Sequence, residues 1–180
     1  MGYNNNIVTS LMSNLAEIPE RSITDGVDVK GGMLKLEQYW KSQDGHTVGN
    51  DWVEKFGGGM EHHFMSGMYI RMASAPKGMI FTTQIHKVRH PFFILKGKAK
   101  ILTEDGVEIL EAPHFGITEP GTKRLMEIVE DIVWYTVHAT EETTVEGVEN
   151  EVLAKDFNEL ELKPQHDAHV QEYLKYKNRK

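Results

Sequence analysis

The chain has 180 residues, no cysteine and a formal net charge of -7. That length holds one domain with a substantial core, and 26% charged against 39% hydrophobic residues describes a folded globular chain. Without cysteine there is no disulfide, no thiolate nucleophile and no thiolate zinc site, and the acidic balance disfavours nucleic acid, whose phosphates require clustered Lys and Arg.

In chain order, Ile7, Leu11, Leu15 and Ile18 are spaced as the apolar stripe of a helix, which Pro19 stops. The start of the chain shows neither a basic region nor an apolar run of the kind that directs secretion. No run of 18 apolar residues occurs, so no membrane-spanning helix is expected, and the expected location is the cytoplasm. Residues 20–59 read as irregular, with Gly31-Gly32 and Gly57-Gly58-Gly59 as breakers. MLKLEQYWK at 33–41 fits helix or strand equally by period. The glycine triplet lacks the Lys-Ser/Thr of a phosphate loop and reads as a hinge.

From Met60 the texture changes. Short runs rich in β-branched and aromatic residues follow one another between turns, as in an all-β sandwich or barrel. MIFTTQIH leads to KVR and then HPFFILK, so QIHKVRHP predicts two strands joined by a tight loop. His86 closes the first and His90 opens the second. IVWYTVH, ending at His138, reads as the last barrel strand. After about residue 154 the strand texture fades, and the spacing around His166, His169, Val170, Tyr173, Leu174 and Lys177 predicts an amphipathic helix near 165–177. The organisation expected is an extension over 1–59, helical then irregular, a barrel over 60–154 and a helical tail over 155–180.

The segment 78–97 resembles the first signature of the cupin superfamily, which runs Gly, five residues, His-x-His, three or four residues, Glu, six residues, Gly. Here Gly78, Gln84-Ile85-His86, His90 and Gly97 keep every spacing. Gln84 stands where the first His would be, and His90 where the Glu would be. The second signature is poorly kept, with Arg124 near the position of its histidine. A narrower resemblance over roughly 60–144, carried by HHFMSGMYIR, IHKVRHPF, LKGKAKILTEDG, APHFGITEPGTKR and DIVWYTVHAT, is to small cupin-like proteins of tailed bacteriophages, mostly without assigned activity. A phage-encoded protein would act in the host cytoplasm.

The resemblance implies a double-stranded β-helix, the cupin jelly roll, with helical N- and C-terminal extensions. It also implies that the last strand pairs antiparallel with the strand His90 opens, bringing His138 to His90, and that Arg124 lies beside the strand ending in His86. Strand alternation would point Gln84, Thr82 and Ile80 inward with His86, and would put Trp134 and Thr136 on the face of His138. His86, His90 and His138 are then candidate ligands for a divalent transition metal (Zn, Fe, Ni, Mn or Cu), because neutral imidazoles suit these ions. Gln84, Arg124, Trp134 and Thr136 are candidate ligand-binding residues, with Arg124 as a bidentate clamp for a carboxylate or phosphate.

The function expected is binding of a small, anionic molecule in a cupin barrel that can hold a metal. The alternative is a metal-dependent dioxygenase, isomerase or lyase acting on a small carboxylate or phosphate. No carboxylate or tyrosine base is expected inside, which favours the binder. His62 and His63 are adjacent, so one at most faces inward, and His114 is expected to be exposed. Finally, Pro91, Phe93 and Leu95 on one strand and Val133, Tyr135 and Val137 on its neighbour leave an apolar outer face. A homodimer is expected to cover it.

Overall fold

The computed structural model of the protein describes residues 28–42 and 55–161. The helices expected over 7–18 and 165–177, with His166 and His169, lie outside the described residues. Three helices and nine strands are described: α1 (Val29–Lys41), β1 (Gly59–Met65), β2 (Met68–Ala75), β3 (Ile80–Thr82), β4 (Ile85–His86), β5 (His90–Thr103), β6 (Gly106–Glu111), β7 (His114–Thr118), β8 (Leu125–Ala139), α2 (Val145–Val152), β9 (Leu153–Ala154) and α3 (Asn158–Glu161). The segment at 33–41, ambiguous by period, is thus helical, and Asp28 caps it by accepting from the Gly31 amide at 2.8 Å. No described helix is long and apolar enough to cross a membrane.

The architecture is an all-β jelly roll with helices flanking the strands. All strand pairs are antiparallel, and two long strands, β5 and β8, run through the whole sheet. Along its first half β5 pairs with β7, and along its second half with β6. Likewise β8 pairs with β3 at its start and with β2 at its end. Each long strand therefore belongs to two sub-sheets, which fold toward each other across a bend.

The bend is local and identifiable. Ile94 pairs with Trp134 and Ala99 with Ile128, so five steps along β5 face six along β8, and the register is irregular between them. Gly97 sits in the irregular stretch at φ +83°, where an added Cβ would run into the Asp131 backbone. Inward-facing positions on β5 consequently switch from even numbers (Phe92, Ile94) to odd ones (Ala99, Ile101), all buried.

Ile94, Ala99, Ile101 and Ile128 anchor the main core, at 1% exposure or less. Helix α1 packs Val29 and Met33 on Leu102 and Leu125. It is also tied down by charge: Glu37 meets the Lys123 ammonium at 2.6 Å and accepts from the Thr82 hydroxyl. Helix α2, capped by Thr144, packs Val148 and Val152 against Tyr69 and Leu153. Residues 145–152 carried no helical signal strong enough to be read from sequence, because the turn-rich ATEETT precedes only two turns of helix.

Candidate functional site

Because paired residues on neighbouring strands project to the same side, the register lays out the inner face row by row. One row runs Phe64, Tyr69, His138 across β1, β2 and β8, and the β5–β7 pair His90–Thr118 continues it. The next runs His62, Arg71, Thr136, Phe92, Gly116, and a third runs Met60, Ala73, Trp134, Ile94, His114. The last of these rows is mostly apolar and faces the core. The first two concentrate the polar side chains.

His86 arrives from outside the main sheet. β4 pairs with β9, His86 opposite Leu153, and the Lys87 amide donates to the Val152 carbonyl at 2.8 Å. This pairing holds His86 against His90, with ring centroids 4.6 Å apart, and His90 lies 4.2 Å from His138. All three are at most 4% exposed. His90 Nδ1 bonds the Val88 carbonyl at 3.0 Å, but His90 Nε2, both nitrogens of His86 and of His138, and Thr136 Oγ1 are buried with no hydrogen-bond partner among the described residues.

Burial favours the neutral imidazoles. It holds His138 down to about 3, with His90 and Arg71 adding to the effect. His90 is lowered to about 4 by burial, its Val88 bond opposing and Arg124 and Arg71 assisting. His86 is lowered well below the ordinary value, by burial first and then by His90, Arg71, Arg124 and His138. At neutral pH the three rings are uncharged.

Arg124 is 6% exposed. Its Nη2 donates to Thr118 Oγ1 at 3.0 Å, and its guanidinium lies 5.2 Å from the centre of the Phe92 ring and 5.9 Å from that of Trp134. Phe92 and Trp134 stack at 4.4 Å and 12°. Gly116 makes room for this platform, since a Cβ there would overlap the Phe92 ring. Burial lowers the guanidinium to about 10, so it stays charged, while Glu108 acts in the opposite sense. No carboxylate among the described residues lies within ion-pair distance of it. A cleft of about 510 Å³ opens on this side, lined by Phe92, His114, Gly116, Lys123 and Arg124 and also by the carboxylates Glu104, Asp105, Glu108 and Glu119. The three imidazoles do not line it.

Several expectations need correction. Gln84 is exposed and lies, with Thr83, in the break between β3 and β4, so it is not carried inward beside His86. That break resets the alternation: Phe81 packs on the core, while Ile80 packs toward α1 and Thr82 bonds Glu37. A tyrosine does face inward. Tyr69 is 1% exposed, lies 6.0 Å from the His138 ring and shares a 2.6 Å hydrogen bond with His62 Nδ1. Burial raises its phenol. His62 is half-buried and His63 exposed beside Glu61. His114 is half-buried and stacks on Phe92.

Arg71, which sequence reasoning passed over, is half-buried in the second row between His62 and Thr136. The signal was present in the parity of MYIRM, since Arg71 shares the face of Tyr69, but it needed the β2–β8 pairing to be read.

The donor chemistry gives a divided answer on metal. Five partnerless ring nitrogens are what neutral imidazole ligands would leave. Against that, no three His, Asp or Glu side chains among the described residues converge as ligands of one ion. Arg71 and Arg124 both disfavour positive charge on the imidazoles, and no carboxylate figures among the charges acting on those three rings. The arrangement does not fit a divalent ion by itself.

No family model matches the sequence, and no curated protein does. Similar solved structures include a cupin-2 domain protein from Shewanella frigidimarina (11% identity, 46% of this chain and 80% of that one, TM-score 0.39). A cupin superfamily protein from Desulfitobacterium hafniense also matches (13%, 46% and 76%, TM-score 0.40). So does the EutQ protein of Clostridium difficile (10%, 48% and 70%, TM-score 0.40).

Proposed function

We propose that this protein binds a small organic anion on the inner face of its sheet, with Arg124 as the clamp. One observation carries the reading: a buried arginine with no carboxylate partner among the described residues lies near six buried polar atoms that also lack partners. A buried charge left so costs several kcal/mol in a protein (roughly, after relaxation), and an anionic ligand supplies the missing counter-charge. Phe92 and Trp134 offer an apolar wall to its carbon skeleton. Thr136 and the neutral imidazoles of His86, His90 and His138 offer donors and acceptors to its polar groups.

Titration calorimetry with a panel of small carboxylates and inorganic phosphate tests this. Arg124→Lys should weaken binding at least tenfold while the thermal melt stays cooperative, because Lys keeps the charge and loses the two-point fork. A wild-type protein that binds no member of the panel defeats the proposal.

A second reading is favoured by the orphaned ring nitrogens alone. For a divalent transition metal to bind, His86, His90 and His138 would have to shift into convergence, with an anion entering alongside to offset the repulsion from Arg124. Bound there, the metal would supply Lewis-acid or redox chemistry for an enzyme acting on that anion. Tyr69, beside His138 and bonded to His62, is then the residue on hand to move a proton. Elemental analysis of protein purified without a histidine tag, with and without added carboxylate, decides between the readings.

A further inference from the structure

Arg71 adds a second positive charge to the same interior. It pairs across β2 with Thr136 of β8, and Thr136 pairs in turn with Phe92 of β5, over whose ring the Arg124 guanidinium lies. His86, His90 and His138 each feel the Arg71 charge, as do His62 and Tyr69. Among the described residues Arg71 has neither a hydrogen bond nor an ion pair. Glu149 is felt at the rim by His62 and Tyr69, but no salt bridge ties it to Arg71.

We infer that the ligand carries two separated anionic groups, a dicarboxylate, with Arg124 holding one end and Arg71 the other. The inference rests on the anion-binding reading above and narrows its ligand class. The spacing argues for two groups over one. Arg71 and Phe92 are two strands apart, about 10 Å at roughly 4.8 Å per strand, with the partnerless Thr136 hydroxyl between them. A single compact anion held by the Arg124 fork leaves Arg71 without a partner among the described residues. A short chain with a carboxylate at each end serves both guanidiniums and lays its middle over Thr136 and the ring platform. Each end then makes a charge-assisted, two-point contact.

The test compares straight-chain dicarboxylates from malonate to adipate with monocarboxylates of matched length, and with inorganic phosphate, by titration calorimetry on the full chain. Wild-type protein should prefer at least one dicarboxylate over its matched monocarboxylate by tenfold or more. Arg71→Gln should erase that preference, weakening dicarboxylates at least fivefold more than the matched monocarboxylates. Arg71→Lys should keep part of it, which guards against a variant that merely unfolds, and Arg124→Gln should weaken both ligand types. If monocarboxylates bind as well as dicarboxylates, or if Arg71→Gln leaves the preference intact, the two-ended assignment is overturned while the anion site stands. Phosphate binding more tightly than every dicarboxylate also overturns it. If no anion in the series binds at all, the reading beneath it fails as well.

Discussion

Thr136 and Thr140 form a natural controlled comparison. Both are 7% exposed and lie four residues apart at the end of the same stretch of chain. Thr136 Oγ1 has no partner among the described residues, whereas the Thr140 hydroxyl donates to Glu151 and accepts from the Glu142 amide at 3.1 Å. Valine has nearly the shape of threonine without the hydroxyl. A buried polar group left unbonded costs about 1–3 kcal/mol, so Thr136→Val should stabilise the ligand-free protein by part or all of that amount. For a chain of this size, each kcal/mol is worth about 2–4 °C of melting temperature, which calorimetry resolves easily. Thr140→Val should go the other way, by about 0.5–1.5 kcal/mol per hydrogen bond, because it removes the bonds to the Glu142 amide and the Glu151 carboxylate, both on exposed residues that water can serve. The same Thr136→Val variant should bind its anionic ligand more weakly, by about two- to tenfold for one hydrogen bond at 0.5–1.5 kcal/mol. A Thr136→Val protein that melts lower than wild type would refute the reasoning, since its hydroxyl would then be bonded in the free protein.

Lowering the pH should destabilise the fold through its imidazoles. Their folded values, about 4 for His90 and about 3 for His138, lie below the unfolded value near 6.5. The unfolded chain therefore binds more protons, and stability is complete above about pH 6.5 and falls as pH drops toward 4 and then 3. Melting curves at pH 7.5 and 4.5 should show the loss, and His138→Gln should shrink it; equal melting at both pH values contradicts the buried, neutral state. Gly116→Ala should cost about 1–3 kcal/mol of stability as an overpacking change, because its Cβ overlaps a Phe92 ring already stacked on Trp134; a wild-type melting point would show that the platform is free to move. The outer face carries Leu95 and Phe115 at 60% and 59% exposure, with Phe93, Val133, Tyr135 and Val137 half-buried around them. We expect a homodimer across it, and light scattering should give twice the monomer mass at tens of micromolar (roughly, for a standard-sized interface), falling to the monomer in Phe115→Lys.

What could be read from sequence was whatever depends on period and local turn chemistry. The strand ending at His138 and the one opening at His90 were visible as such, and their antiparallel pairing follows from the resemblance to cupins; the register Phe92–Thr136 is what sets the imidazoles side by side. Gln84 was misplaced because alternation holds only while a strand is continuous, and Thr83–Gln84 is not strand. Arg71 and Tyr69 went unnoticed for a different reason. Their facing is decided by β2 pairing with β8 more than sixty positions along the chain, and nothing in MYIRM announces that partner. His86 depends likewise on β9, a two-residue strand too short to leave a pattern.

The bend in β5 also governs how this chain can change in length. A residue inserted between His90 and Ile94 would turn every later side chain of that half over, carrying Phe92 or its neighbours from the interior to water. Between Ile94 and Ala99 the parity is already broken, and an added or lost residue there meets an irregular ladder rather than a regular one. The imidazole end and the apolar end of β5 are thus separately tunable, although one strand carries both. A single-residue change in the length of β5 should therefore be taken up at the Gly97 joint, although the Asp131 backbone beside it leaves no room for a longer loop.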